Sequence, residues 1–320
     1  MKISGFTFVR NGVKLYYPVK ESIMSILDLV DEFVVAMGDN DPDDKTREEI
    51  ESIGSDKIKI IDTVWDLEKY PRGMEHAHQT DIAKEACNGD WLFYLQTDEL
   101  IHENSVPLIK SACEKYLNNN EVEGFLFKYI HFWGDYWHYH KSHLWYPREI
   151  RIVRNDPEIH SWQSAQSFRR IPDFDGVSYR KKAGTYKLKV IELDAHIYHY
   201  GWVRPPEFMV RKRKYFNTNH FGAQKANETF EKEKQYFDYG PLGKLREFKG
   251  THPAAMQRKI ESFNWSHQLN YTRKHKPGQP RFAHDQLRPR ILSFFENNFL
   301  PEGKQIGGFH NYIKLGKESA

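Results

Sequence analysis

Residues 91–95 (WLFYL) form an apolar run cut off at once by Gln96-Thr97-Asp98-Glu99, and this stretch constrains the fold more than any other. A short run without polar alternation reads as a strand buried on both faces, the kind found in a parallel sheet covered by helices. Parallel neighbours need crossover connections, so helices must alternate with strands in the sequence. They do. Ile3–Val9 is an apolar strand followed by the turn Arg10-Asn11-Gly12. Residues 18–29 read as a helix with Pro18 in its first turn and Ile23, Ile26, Leu27 and Val30 on one face. A strand at 33–37 ends in Gly38-Asp39-Asn40-Asp41, and a helix at 46–53, a strand at 57–61 and a helix at 73–88 complete the series. The predicted class is α/β, with a Rossmann-like, mostly parallel central sheet flanked by helices.

After residue 100 the pattern loosens. A helix is expected at 106–117 and strands at 124–129, 149–154 and 187–193. Residues 131–146 (HFWGDYWHYHKSHLWY) are dense in aromatics and histidines with weak periodicity. From residue 205 the chain reads as basic helices, at 208–221 and 230–236, and then Pro/Gly-punctuated segments. The expected organisation is an α/β domain over 1–204 and a basic, mainly helical extension over 205–320.

Charge sharpens that division. Residues 1–200 carry 25 Lys+Arg against 33 Asp+Glu, a balance of −8, while residues 201–320 carry 22 against 11, a balance of +11. A basic extension suits an anionic partner, with solvated basic helices the alternative, and acceptor docking, membrane-surface contact and self-association all fit it; no nucleic acid is expected. Hydrophobic residues make up 39% of the chain and aromatics 15%, enough for a packed core. The two cysteines, Cys87 and Cys113, fall in predicted helices, so buried thiols in a reducing cytosol are expected rather than a disulfide framework or a zinc cage. No basic-then-apolar leader and no apolar run near 18 residues is seen, so a cytoplasmic protein, at most peripheral to a membrane, is expected.

The strand ends carry the candidate chemistry. Open α/β sheets bind ligands beyond the carboxyl ends of their strands, where Arg10-Asn11, Asp39 and Asp98-Glu99 converge if the strands are parallel. Adjacent carboxylates suit Mg2+ or Mn2+ carrying phosphate oxygens; the alternative is a solvated acidic turn. An arginine can neutralise phosphate and an aspartate can accept from a base or ribose, although Asp39 is also an ordinary turn residue. Of His196 and His199, one can return to a metal near Asp98 and the other can simply pack. His131, His138, His140 and His143 complete no recognisable metal set, and sugars stack on aromatics, so Trp133, Tyr136 and Trp137 are acceptor-contact candidates, with ordinary packing the alternative.

With these residues assembled, Phe8-Val9-Arg10-Asn11, the acidic loop within 34–46, the helix at 73–86 and GDWLFYLQTDE resemble family 2 glycosyltransferases of the GT-A fold. The resemblance is good over 1–103. It continues loosely through WYPREIRIVRN, SWQSAQSFRR and HYGWVRPPEF, which are similar to a bacterial and viral branch with a C-terminal extension. It implies a nucleotide-sugar donor, with Arg10, Asn11, Asp39, Arg72, Gln79 and Asp98 around it. It also implies Mn2+ or Mg2+ on Asp98, with Glu99 auxiliary and His199 completing the coordination, and transfer to a glycan or lipid-linked acceptor with inversion. Two departures stand out. Gln96 replaces the first carboxylate of the Asp-x-Asp turn, and Ser164-Ala165-Gln166 stands where relatives carry an acidic base. Glu149 and Asp135 are the nearest carboxylates for that role, with a partner for Arg148 or Arg151 and a turn residue as their respective alternatives. A nucleotidyltransferase is disfavoured because FTFVRNGVK has a single glycine, and a non-catalytic glycan- or nucleotide-binding domain is the other competing reading.

Overall fold

The computed structural model describes residues 1–230, 236–308 and 310–319. In its first part, β1 (Ile3–Val9), α1 (Val19–Met24), β2 (Glu32–Met37), α2 (Thr46–Glu51), β3 (Ile58–Asp62), α3 (Met74–Glu85) and β4 (Trp91–Tyr94) alternate as expected. Then come β5 (Glu99–Ile101), α4 (Val106–Lys115), β6 (Gly124–Trp133), β7 (His138–His140), β8 (Arg148–Arg154), β9 (Ile159–Trp162), β10 (Ser167–Arg170) and β11 (Leu188–Trp202). The last part holds α5 (Pro206–Phe221), α6 (Ala223–Phe230), β12 (Arg246–Glu247), α7 (Gln257–Glu261), α8 (Leu287–Phe299) and β13 (Tyr312–Glu318).

The sheet is mixed. β3, β2, β1 and β4 are parallel neighbours in that order, which the crossovers α1 to α3 require. β8 then runs antiparallel to both β4 and β6, and β11 returns parallel to β6. One face buries Val35, Phe93, Phe125, Ile152 and Leu193, and the other Phe6, Val34, Leu92, Tyr94 and Leu126. Trp91, Leu92, Phe93 and Tyr94 are all fully buried, so the run without polar alternation does mark a strand covered on both sides.

Two strands outrun their sequence signal. β6 continues past residue 129 to Trp133, and β11 continues past residue 193 to Trp202. β11 continues through interspersed histidines and tyrosines and β6 through Ile130-His131-Phe132-Trp133, and it is mutual pairing, with His199 opposite His131, that keeps both extended. The helix expected at 18–29 ends at Met24 and gives way to turns. The one expected at 230–236 falls mostly on residues 231–235, outside the described residues.

The chain after residue 204 is built into the same sheet. β13 pairs parallel with β11, and β12 pairs with β7. A third core joins both parts, with Trp133, Tyr136 and Tyr200 packed against Tyr239, Leu242, Met256 and Trp265. This corrects the acceptor-surface reading for Trp133 and Tyr136, which are buried, while Trp137 is 39% exposed. The Trp133 indole donates to Tyr239 O (2.9 Å), Tyr136 is buried against Tyr200 and Trp265, and Trp137 packs on Phe263. Asp135 is fully buried and accepts from the main-chain N–H of Trp137 and His138 (2.9 Å each), with the His138 ring on the same carboxylate. It is the cap of the β6–β7 turn, not a base.

Candidate active site

The carboxyl ends of β1 and β4, the end of β11 and one face of α5 enclose a crevice of 490 Å³. Parallel pairing puts the first two ends side by side, as open α/β sheets do at their ligand sites. Asp98, Arg10, His199 and Lys212 line it, together with Gln96, Ser164, Trp202 and an aromatic wall.

Hydrogen bonding decides which proton His199 carries. His131 Nε2 lies 2.7 Å from Tyr146 O, and a carbonyl only accepts, so that nitrogen holds the proton. Burial, then the nearby His199, holds the His131 ring well below the usual histidine range. It is therefore neutral, and its Nδ1 is an acceptor. His199 Nδ1, 3.0 Å away, must be the donor. Burial keeps His199 neutral too, so its Nε2 is left with a bare lone pair facing Asp98 Oδ1 at 3.9 Å. Two acceptors turned toward each other can hold a cation between them, although no group of three or more His, Cys, Asp or Glu able to hold a metal is found among the described residues.

The chain leaves space for one. A Cβ at Gly201 would sit 2.6 Å from His199 Nε2 and 2.8 Å from Asp98 Oδ2, so any side chain there would fill the gap. Lys212 Nζ, from α5, stands 3.4 Å from Asp98 Oδ2 and 2.6 Å from Gly201 O. Burial pushes the Asp98 pKa up, but the Lys212 ammonium and the Arg204 guanidinium outweigh it and hold the carboxyl below its usual range. Lys212 is drawn down to about 7, by burial and then by Arg204, against the pull of Asp98.

The opposite wall is aromatic. Phe8 stacks on His76 (5.4 Å), Trp65 meets the same ring edge-on, and Arg10 lies over both Trp65 and Tyr215. Arg10 grips Asp39 twice, Nη2 to Oδ2 (3.0 Å) and Nε to the main-chain O (3.1 Å), while Asp39 Oδ1 accepts from Trp65 N. The buried Trp65 Nε1 has no partner among the described residues, and it lies over Gly38, where a Cβ would collide with it. The last wall is the 163–166 loop. Gln163 and Ala165 both adopt left-handed backbone (φ 62° and 60°), a strained conformation for residues with a Cβ, and present Ser164 between them. Gln96 Nε2 and Arg151 Nη1 pin that loop through Ala165 O and Gln166 O (3.0 Å each).

The sequence candidates therefore divide. Arg10, Asp98 and His199 line the crevice, and Asp39 stands at its rim through Arg10. Glu99 does not join Asp98. Its two oxygens are taken by the Arg151 fork (2.7 and 2.8 Å), the Tyr129 hydroxyl (2.8 Å) and Gln96 N, and the Glu99–Arg151 pair is fully buried. Asn11 is spent on a reciprocal bracket with the next loop, its N donating to Asn40 Oδ1 and its Oδ1 accepting from Asp41 N. Arg72 is exposed and holds Arg180 through its carbonyl, and Gln79 is buried between Thr63 and Glu75. Glu149 lies behind the 163–166 loop in a separate pocket of 60 Å³, bonded to Gln166 Nε2, and burial raises it to about 7. Sequence reasoning missed Trp65, His76, Lys212, Tyr215 and the tautomer-setting His131. The basic run Arg211-Lys212-Arg213-Lys214 was the available signal for α5.

No protein-family model matches this chain, and no curated protein matches it by sequence. Among solved structures, S. aureus TarS is similar with a TM-score of 0.38 and 14% identity, over 72% of this chain and 43% of that one. S. aureus TarS 1–349 in complex with UDP gives 0.36 and 13%, over 72% and 70%. Glucosyl-3-phosphoglycerate synthase from Mycobacterium tuberculosis, in complex with Mn2+, UDP and phosphoglyceric acid, gives 0.28 and 18%, over 41% and 43%. The chain thus spans less than half the length of the first of these.

Proposed function

We propose that the protein is a metal-dependent glycosyltransferase that takes its sugar from a nucleoside diphosphate donor and passes it to a hydroxyl of a glycan or lipid-linked acceptor. The observation that carries this reading is the Asp98–His199 pair, a carboxylate and an imidazole lone pair facing across a gap that only glycine at 201 leaves open. Mn2+ or Mg2+ held there would stabilise the departing diphosphate as a Lewis acid. Lys212 would then leave Asp98 for the phosphates, where Arg10 adds a second cation. The wall of Phe8, Trp65 and His76 offers a stacking surface for a nucleobase, with Asp39 at its edge. Among the described residues Asp98 is the only carboxylate lining the crevice. Transfer with inversion is what the sequence resemblance implies; it needs a base to take the acceptor hydroxyl's proton, and Glu149, behind the 163–166 loop, is the carboxylate the sequence offers for it.

One observation favours a second reading. Lys212 already neutralises Asp98, so the ammonium can stand in for the metal, with no divalent cation required. Thermal-shift titration with UDP, GDP and CMP, with and without Mn2+, followed by sugar-release assays with EDTA, tests both. A melting-temperature rise of a few degrees is expected for the cognate nucleotide, larger with Mn2+, since a ligand at about 100 times its Kd adds about 2.7 kcal/mol. Asp98→Ala should abolish the Mn2+ increment and turnover. Full activity in EDTA would favour the lysine reading, and no response to any nucleotide would overturn both. The anomeric configuration of the product, read by proton NMR, tests inversion.

A further inference from the structure

The C-terminal helix α8 presents an apolar face that no described residue covers. Leu287, Ile291, Phe294, Phe295 and Phe299 fall on one side of the helix and are 47–72% exposed. The three phenylalanine rings cluster with one another, at centroid separations of 5.7 to 6.1 Å. The other side of α8 is fixed to the body of the protein. Glu296 Oε1 accepts from Ile306 N and faces His143 Nδ1 (2.7 Å each), Ser293 Oγ accepts from His143 N, and Asn297 donates to Lys141 O. The helix is therefore anchored with its apolar face outward. A single exposed phenylalanine is ordinary, but a contiguous face of this kind marks an interaction site.

A cationic pocket of 390 Å³ opens between this helix and the third core. Lys141, Lys244, Arg246, Arg273 and Arg290 line it, and Asp285 is its single carboxylate among the described lining residues. Asp285 is shared by Lys244 and His275 (3.6 Å each) and His284, whereas no described carboxylate pairs with Arg246, Arg273 or Arg290. His140, 5% exposed, also lines the pocket, and its buried Nε2 has no hydrogen-bond partner among the described residues. Unpaired guanidinium groups and an unsatisfied buried ring nitrogen together describe a place for an oxyanion.

We propose that α8 and this pocket form a membrane-surface site. The apolar face lies in the boundary between headgroups and acyl chains of an anionic bilayer, and a lipid phosphate sits in the cationic pocket. An amphipathic helix with phenylalanine and leucine on one face and arginines beside it is the chemistry such surfaces bind. Arg288, at the edge of the apolar face, can lay its stem along the acyl chains and keep its charge among the phosphates. Charge complementarity decides against a second copy of the chain as the occupant. A two-fold contact through α8 would set Arg288, Arg290 and the pocket cations against their own copies, whereas anionic lipid neutralises all of them. The inference does not rest on the reading of the crevice.

Vesicle co-sedimentation of the full chain tests it, comparing phosphatidylcholine alone with phosphatidylcholine containing phosphatidylglycerol. Pelleting with the anionic vesicles only, weakening as salt rises, is expected. Phe295→Ser/Phe299→Ser and, separately, Arg273→Gln/Arg290→Gln should each weaken it about tenfold or more. These side chains are exposed, so circular dichroism and the melting temperature should stay at the parent values, which separates loss of binding from loss of fold. Failure to pellet with either vesicle, or equal pelleting with both, would overturn the proposal. So would binding of free inorganic phosphate without any vesicle binding. Light scattering that shows a dimer broken by the phenylalanine pair would instead make α8 a self-association face.

Discussion

At the level of single residues, the neutral pair His131–His199 does the most to define what the crevice can hold. Tyr146 O fixes the His131 proton, His131 fixes the His199 proton, and the result is a lone pair on His199 Nε2 beside Asp98. His131→Phe keeps the ring volume but removes both nitrogens, leaving His199 free to take the other tautomer. Mn2+ affinity should fall about 10- to 100-fold, as for other groups that orient a metal-bound histidine, while nucleotide binding without metal stays unchanged. Isothermal titration with and without the metal separates the two, and equal loss in both would show a merely structural role. Glu149 has a different signature. Its folded-state pKa is raised from 4.5 to about 7 by burial, so the native state holds a proton that the unfolded chain releases. That proton favours the native state below pH 4.5, and the advantage is lost as pH rises through about 7, on the order of 3 kcal/mol in all. Glu149→Gln should be more stable than the parent at pH 8 and nearly equal at pH 4, read by urea unfolding at both pH values. Asp98 was legible because a two-sided buried run ends just before it. The separation of Asp98 from Glu99 was not legible. Successive residues at the start of β5 point to opposite sides, and only the arrival of Arg151 from β8 shows which side is the interior.

At the level of elements, α5 turns a sheet edge into an enclosed crevice. The sequence marks it as a helix, with Pro205-Pro206 at its start and Gly222 after its end, but not as a wall of the site. That depends on Arg204, whose guanidinium ties the chain before the helix to Leu15 O and Gly201 O, and on Lys212 reaching Asp98. Lys212→Ala should therefore have opposite effects on two measurements. Mn2+ should bind several-fold more tightly, because the competing cation is gone, yet turnover should fall about tenfold or more for want of a charge on the phosphates. Metal titration followed through the electron paramagnetic resonance of free Mn2+, beside steady-state kinetics, checks both directions. If Mn2+ affinity is unchanged, Lys212 does not compete for Asp98. The long halves of β6 and β11 were unreadable for a related reason. The later half of β11 mixes histidines and tyrosines with few apolar residues, and that of β6 runs straight into the aromatic, histidine-rich segment of weak periodicity, so both are strands because they pair with each other.

At the level of the whole molecule, the charge division at residue 200 does not coincide with a structural one. The α/β class was legible from alternating strand and helix signals, because crossover connections leave their mark in local sequence. The return of β13 to β11 was not, since its partner lies more than a hundred residues earlier and such long-range pairing has no local signature. The same holds for the third core, in which Trp133, Tyr136 and Tyr200 are covered by Tyr239, Leu242, Met256, Trp265 and Leu269. A fragment of residues 1–204 would therefore keep the parallel strands but expose these aromatics and leave an edge of β11 unpaired. Fully burying one large apolar side chain contributes about 1.5–3 kcal/mol, so losing the cover of three such residues removes a large part of the 5–15 kcal/mol typical of a whole domain. The fragment should lack a cooperative thermal transition, bind a hydrophobic dye and aggregate through its open edge, whereas the full chain should unfold in one step. Differential scanning calorimetry of both, with dye fluorescence, decides this. A fragment that melts cooperatively near the temperature of the full chain would show that the first 204 residues form a domain of their own.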